Sequence, residues 1–114
     1  MKTSRDTADA VTALASLAQE HRLGLFRLLV QAGPDGMAAG ALAEALGVPN
    51  SSLSFHLAHL TRAGLIGQRR EGRSLIYTAN YDAMNALVGF LTENCCGGAS
   101  CTPAAPVTQE RKSA

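Results

Sequence analysis

The sequence predicts a mainly α-helical, α+β fold in which four helices, a two-stranded β-hairpin and a fifth helix follow one another. Two observations support this order. Apolar residues recur at helical spacing in five segments, and the fourth segment is followed by two short extended runs around an acid–glycine turn. The chain has 114 residues, of which 46% are hydrophobic and 17% charged. This length and this composition favour one globular domain.

The helices are predicted from apolar periodicity and from the residues that begin or end each segment. We expect them at residues 8–18, 20–32, 38–46, 50–63 and 80–94. Asn50 is predicted to cap the N terminus of the fourth helix, and Gly64 to end it. Leu53, Leu57 and Leu60 share one face of this helix and are predicted to be buried.

The composition also limits the core. Aromatic residues make up 4% of the chain and there is no Trp, so the core is predicted to consist mostly of Ala, Leu and Val. Such a core is thin for a chain of this length. We therefore expect a dimer that buries a further helical face.

The third and fourth helices predict DNA binding. A short helix, a three-residue turn at residues 47–49 and a longer helix are typical of a helix-turn-helix, whose second helix enters the major groove. The exposed face of that helix carries short hydroxyls, an aromatic ring, a histidine and an arginine, which suit base edges and phosphates. His56 borders the buried leucines and is predicted to be structural. The candidate DNA contacts are Asn50, Ser51, Ser52, Ser54, Phe55, His59 and Arg62.

The predicted hairpin, at residues 65–70 and 73–78, is basic. Residues 62–73 contain four arginines and one acid, Glu71, although the whole chain has a net charge of only +1. A basic hairpin directly after a helix-turn-helix is typical of a wing that contacts a minor groove or phosphates. Arg69, Arg70 and Arg73 are therefore candidate DNA contacts, which makes the fold a winged helix-turn-helix. The alternative is that these arginines only solvate a turn.

The two ends of the chain predict location and domain organisation. Residues 1–6 are not followed by an apolar run, so we expect no signal peptide and a cytoplasmic protein. Residues 1–94 are predicted to form the DNA-binding and dimerisation domain. Residues 95–114 are rich in Gly, Ala, Ser, Pro and Thr and are predicted to form a flexible tail. Three cysteines, an odd number, argue against a disulfide framework.

Several runs resemble the ArsR/SmtB family of metal-responsive winged-helix repressors. They are residues 17–23, residues 54–66 with Ser-Phe-His-Leu at their start, and residues 70–77 with Arg-Glu-Gly-Arg at theirs. The resemblance covers about residues 10–92. It implies a homodimer that is joined through the first and fifth helices and binds a palindromic operator. The chain departs from the family in having Phe55 where His is usual and in lacking Pro near Glu20 and His21.

The family's familiar inducer sites are mostly absent. Its arsenic motif would place cysteines near Ala38 and Gly40, and its zinc site on the fifth helix needs histidines, which this chain lacks after His59. All three cysteines instead lie within residues 95–101, directly after the fifth helix. Some members of the family carry arsenic-binding cysteines at this end of the fifth helix, and the arrangement resembles theirs.

The chemistry of three sulfurs favours a metalloid. The segment Gly-Gly-Ala-Ser at residues 97–100 is flexible enough to bring Cys101 back to Cys95 and Cys96. Soft thiolates select soft or thiophilic centres, and a structural zinc site usually needs a fourth ligand. As(III) and Sb(III) are satisfied by three sulfurs in a pyramid. The three cysteines are therefore predicted to bind As(III) or Sb(III) as an inducer that releases operator DNA.

Other functions remain open at this point. The cysteines would also suit a thiol redox sensor, in which a disulfide forms within the chain or across the dimer. Cadmium, lead or methylarsenite would suit a member of the same family. An enzyme such as a thiol reductase is disfavoured because the chain lacks C-x-x-C, a phosphate-binding loop and a paired base near the cysteines. We therefore predict a regulator without a catalytic cofactor.

Overall fold

The computed structural model describes residues 4–98, which form five helices and a small antiparallel sheet. This architecture confirms the predicted α+β class. The helices are α1 Ser4–Leu17, α2 Glu20–Ala32, α3 Ala39–Leu46, α4 Asn50–Arg62 and α5 Tyr81–Thr92, and the strands are β1 Met37–Ala38, β2 Ile66–Glu71 and β3 Ser74–Ala79. Short 3₁₀ turns lie at Gly33–Asp35 and Cys95–Gly98.

The sheet has one strand more than predicted. Its order is β1-β3-β2, and β1 pairs with β3 through Met37 opposite Tyr77. Gly36 permits this pairing, because its φ is +68° and a Cβ there would collide with the carbonyl oxygen of Tyr77. A strand of two residues has no periodicity, so the sequence pattern did not reveal it.

Some predicted boundaries were wrong by one to four residues. Pro49, and not Asn50, is the N-cap of α4, and no side chain caps this helix. Pro49 has the extended backbone that is typical of an N-cap, so Asn50 is the first helical residue of α4. In the hairpin Glu71 pairs with Ser74, so the turn is at residues 72–73, one residue later than predicted. Helix α1 begins at Ser4 and α5 ends at Thr92.

The core lies between α2, α3, α4 and the start of β2. Six leucines are at most 1% exposed, and burying each stabilises the fold by roughly 1.5–3 kcal/mol. These six are Leu25, Leu29, Leu42, Leu53, Leu60 and Leu65. They confirm the leucines of the predicted core and, with Leu57, the predicted inner face of α4. Valine was also expected in the core, but none of the valines in the described residues is buried.

Helices α1 and α5 lie at the periphery. Ala10, Ala13 and Ser16 are buried on α1, but α5 has no buried residue. Helix α5 is nevertheless anchored at its start. The hydroxyl of Tyr81 lies 3.3 Å from the carbonyl oxygens of Leu29 and Val30 and donates to them.

Asn80 connects α5 to the segment that follows α4. Its Oδ1 accepts from the amide of Ala83 and so caps α5, and its Nδ2 donates to the carbonyl of Gly64 at 2.9 Å. Its own amide donates to the carbonyl of Leu65 at 2.8 Å. Two of these three hydrogen bonds join the start of α5 to Gly64 and Leu65, in the segment between α4 and β2.

Cys101 and the predicted flexible segment beyond it lie outside the described residues. Within residues 4–98, no helix is both long enough and apolar enough to cross a membrane.

Candidate nucleic-acid interface and cysteine turn

The outer face of α4 is the predicted DNA-reading surface. Asn50, Ser51, Ser54, Phe55 and Arg62 are exposed on it, as contact with a ligand requires. Ser52 is half-buried, and so is His59. The DNA contacts of these residues stay predictions.

A polar network holds the inner side of α4 to the junction of α1 and α2. Arg22 Nε donates to the carbonyl of Ser16 at 2.6 Å, and its Nη1 donates to Nδ1 of His56 at 3.5 Å. The hydroxyl of Ser16 lies 3.0 Å from Nδ1 of His59. Gln19 accepts from the amide of Arg22 and caps α2. Helix α4 is therefore positioned by hydrogen bonds as well as by its leucines.

His56 is buried in this network, as predicted for a structural histidine; only 8% of it is exposed. Burial lowers the pKa of His56, and the neighbouring charge of Arg22 and the rings of His21 and His59 lower it further. Because a guanidinium only donates, Nδ1 of His56 must accept, which requires the neutral ring. The contact with Arg22 and the lowered pKa thus agree.

The structure gives His59 a partner inside the protein. We predicted a phosphate contact for it, but its Nδ1 faces the hydroxyl of Ser16, which is fully buried. Spacing along α4 alone did not reveal this, because Ser16 is 43 residues away in sequence. Only Nε2 of His59 remains for a ligand.

Arg69, another predicted DNA contact, also has partners inside the protein. Its Nη1 donates to the carbonyl of Pro34 at 3.1 Å and its Nη2 to the carbonyl of Asp35 at 3.0 Å. The same guanidinium forms an ion pair with Glu71 at 2.8 Å. Arg69 therefore ties strand β2 to the 3₁₀ turn at residues 33–35, so its donors are engaged within the protein.

Three other arginines remain available to a phosphate backbone. Arg62 ends α4, and Arg70 and Arg73 lie at the hairpin tip; all three are exposed. None of them makes an ion pair within residues 4–98. Since Glu71 is paired with Arg69, the basic character of the tip comes from Arg70 and Arg73.

The cysteine pair lies in a turn that directly follows α5. Cys95 and Cys96 are exposed and their Sγ atoms are 3.8 Å apart. Asn94 and Cys96 have positive φ values of 56° and 57°, and the Gly97 amide donates to the Asn94 carbonyl at 2.9 Å. This irregular backbone brings adjacent sulfurs together, which a regular helix or strand does not. A centre with bonds of about 2.3 Å to sulfur is able to bridge such a pair.

The described residues contain only part of the predicted sensor site. Within residues 4–98, no three His, Cys, Asp or Glu side chains are grouped so as to hold a metal ion. The third predicted ligand, Cys101, lies outside the described residues. The predicted three-sulfur site therefore stays a prediction.

A cleft of about 650 Å³ lies between α1, α5 and the end of α4. Its lining combines apolar residues such as Ala13 and Phe90 with the charged residues Asp9, Arg62 and Glu93. Sequence patterns revealed neither this cleft nor the supporting residues Ser16, Arg22 and Asn80. An Asn directly before a helical segment is a usable N-cap signal, but the partners of Ser16 and Arg22 have no local signature.

Sequence relatives are transcriptional regulators. Residues 17–69 match the family model of a helix-turn-helix domain. The transcriptional activator HlyU of Vibrio cholerae serotype O1 is 32% identical over 87 residues, which are 76% of this chain and 78% of HlyU. The nodulation protein NolR of Rhizobium meliloti is 33% identical over 88 residues, 77% of this chain and 70% of NolR. These relatives support a regulator and not an enzyme.

Solved structures have the same fold. An ArsR-like transcriptional regulator from Rhodococcus sp. RHA1 superposes with a TM-score of 0.70 at 25% identity, over 81% of this chain and 84% of that one. The homodimeric winged helix-turn-helix DNA-binding domain of Mb0332 from Mycobacterium bovis gives 0.63 at 27% identity, over 86% and 94%. Reduced HlyU from Vibrio cholerae also gives 0.63, at 31% identity over 82% and 95%. With its wing, its helix-turn-helix and these relatives, the chain belongs to the winged helix-turn-helix transcriptional regulators of the ArsR/HlyU/NolR type.

Proposed function

We propose that the chain is a homodimeric repressor that leaves a palindromic operator when As(III) or Sb(III) bonds to Cys95, Cys96 and Cys101. The observation that carries the proposal is the 3.8 Å separation of the exposed Cys95 and Cys96 sulfurs, directly after α5. Two sulfurs at this distance are already placed for one thiophilic centre. The third sulfur is five residues further along the chain.

The charge distribution supports operator binding. Arg62 is on the outer face of α4, and Arg70 and Arg73 are in the hairpin that follows it. All three are exposed and make no ion pair within the described part of the chain. Each arginine that reaches a phosphate releases counterions and so favours binding at low salt. The short side chains near the start of α4 leave its N-terminal turn accessible to base edges.

The apolar surface supports a homodimer. Val11 and Leu14 on α1 and Val88 and Leu91 on α5 are between 43% and 58% exposed. Water-exposed apolar side chains on two neighbouring helices favour burial against a second copy. The homodimeric Mb0332 domain supports the same arrangement. A two-fold dimer would place its two α4 helices on half-sites about one DNA turn, roughly 34 Å, apart.

The connection through α5 suggests how the signal reaches DNA. Metalloid binding would join Cys95, Cys96 and Cys101 at the end of α5 and shift this helix, whose last residues, 91 and 92, are exposed. Asn80 would pass the shift to Gly64 and Leu65, in the segment between α4 and β2. A coupling of about 1–3 kcal/mol weakens operator binding roughly 5–150-fold.

An arsenite titration of the operator complex tests the proposal. We expect arsenite to weaken operator binding of the reduced wild type by a factor within that range, and to leave the Cys95→Ser/Cys96→Ser variant unaffected. Asn94→Asp is the matched control, because it changes the same turn without removing sulfur and Asp tolerates a positive φ. Equal responses of the wild type and the double serine variant would refute the sensor site.

A thiol redox switch is the second candidate. The 3.8 Å separation of the two sulfurs also favours this function. Because the chain is similar to reduced HlyU, operator binding should also be measured with an oxidant and a reductant. Peroxide would take two electrons and two protons from a pair of thiols, forming one disulfide and two waters. The redox function would replace the metalloid function if three results hold together: peroxide releases the operator, dithiothreitol restores operator binding, and arsenite has no effect.

The sign of regulation needs its own measurement, because HlyU is a transcriptional activator. We expect a reporter gene behind the operator to be transcribed more strongly when this chain is deleted, and in the wild type when arsenite is added. Lower transcription after deletion would mean that the chain activates. That result would overturn the repressor proposal without affecting DNA binding.

A further inference from the structure

Helix α4 presents an aromatic ring to solvent. Of the five aromatic side chains in the sequence, Phe55 alone is exposed; the other four are buried or half-buried. Its side chain is 60% exposed. A ring left in water forgoes the stabilisation that burial would give, so covering this ring with a ligand would favour binding.

Two histidines support the ring from below. The Phe55 ring lies 5.6 Å from that of His56 and 6.3 Å from that of His59, in both cases at 66°. Such edge-to-face contacts are favourable. Both histidines are themselves held, His56 by Arg22 and His59 by Ser16. The ring is thus oriented before any ligand arrives, which lowers the entropy cost of binding.

The residues around Phe55 are small. Ser51 lies one turn before it and Ala58 one turn after it, and both are exposed. At these two positions, therefore, no long side chain stands beside the ring. A phenyl ring neither donates nor accepts a conventional hydrogen bond. The apolar feature that a major groove offers to it is the 5-methyl group of thymine.

We propose that Phe55 is a specificity-determining residue that recognises thymine through its 5-methyl group, and that His56 and His59 are positioning residues for its ring. The proposal rests on the operator-binding part of the proposed function and is independent of arsenic. It implies that each operator half-site contains a thymine at a fixed position that cytosine and uracil cannot replace without loss.

Deoxyuridine substitution tests this, because it removes the methyl group alone. Starting from a site selected with the wild type, each half-site thymine is replaced by deoxyuridine in turn, and affinity is measured at fixed salt. We expect about a fourfold loss at one position or two adjacent positions for the wild type. Phe55→Ala should bind thymine and deoxyuridine equally there, and Phe55→Leu should retain part of the preference.

The control variant is Leu75→Ala, which removes an exposed apolar side chain from β3 and not from α4. It should keep the wild-type preference. Equal binding of thymine and deoxyuridine by the wild type at every position would overturn the proposal. An unchanged preference in Phe55→Ala, with weaker binding throughout, would also overturn it.

The thymine preference and the proposed arsenite response can be tested separately. Loss of the arsenite response with the thymine preference intact would refute the sensor alone. If the wild type selects no site, both this inference and the proposed operator binding fail. His59→Ala tests the positioning role: it should reduce the thymine preference while the salt dependence of binding stays that of the wild type.

Discussion

Helix α4 and the cysteine turn that follows α5 differ in how the protein supports them. Helix α4 has three leucines that are at most 4% exposed and two histidines held by partners from α1 and α2. Every residue from 91 to 98 is exposed. The DNA-reading helix is therefore oriented before binding, whereas the cysteine turn is open to reagents. In the proposed mechanism, a signal at the turn acts through α5, whose start Asn80 bonds to Gly64 and Leu65.

The largest effect is expected from removing the core support of α4. Leu60→Ala should lower the free energy of unfolding by about 2–5 kcal/mol, because Leu60 is fully buried and a cavity would remain. Thr92→Ala, at the exposed end of α5, should change it by less than about 0.5 kcal/mol. Urea unfolding at one fixed protein concentration measures both. Similar losses in the two variants would contradict the difference between the regions.

A smaller loss of unfolding free energy is expected when Asn80, which bonds the start of α5 to Gly64 and Leu65, is replaced. Asn80→Ala removes the cap of α5 and the hydrogen bond to Gly64, so it should cost about 1–2 kcal/mol of unfolding free energy. It should also reduce the arsenite response of operator binding, although both cysteines of the turn remain. Asp is another good N-cap residue, so Asn80→Asp should restore more of the stability than of the response. A full response in Asn80→Ala would exclude this route.

Replacing Arg73 and replacing Arg69, both in the hairpin, are expected to change different quantities. Arg73→Ala should reduce the salt-dependence slope of operator binding by about 0.9 for each phosphate that Arg73 neutralises. Arg69→Ala should leave the slope nearly unchanged and lower the unfolding free energy by about 1 kcal/mol, since its donors bond Pro34 and Asp35. Affinity measured over a salt series, together with urea unfolding, separates the two. A reduced slope in Arg69→Ala would return this residue to the DNA contacts.

The smallest effect is a pH dependence. The pKa of His56 is lowered in the folded protein, so between that value and the ordinary 6.5 the unfolded chain binds more protons. Unfolding free energy should therefore fall as pH drops below about 6.5, and level off below the folded pKa. His56→Gln should remove this part of the pH dependence. If the wild type and this variant lose stability in parallel, His56 does not titrate as described.

The sequence alone predicted the proposed DNA-binding surface of α4 and the hairpin more completely than the contacts that hold α4 in place. The buried leucines of α4, the exposed Phe55 and the basic hairpin were visible because helical and strand periodicity are local. An acid and a glycine, Glu71 and Gly72, marked the turn of the hairpin within one residue. The third strand and the α1–α2–α4 network were not visible, because they join residues far apart in sequence.

Two arginines of the same hairpin show the limit most clearly. By residue type and spacing Arg69 and Arg73 are equivalent, yet Arg69 bonds carbonyls 34 and 35 residues earlier in the chain, whereas Arg73 stays at the tip. Sequence by itself determined the order of the five helices and the hairpin, the leucine face that α4 buries and the position of the cysteines. Tertiary structure alone decided which polar groups are already engaged, because long-range hydrogen bonds depend on where the chain returns in space.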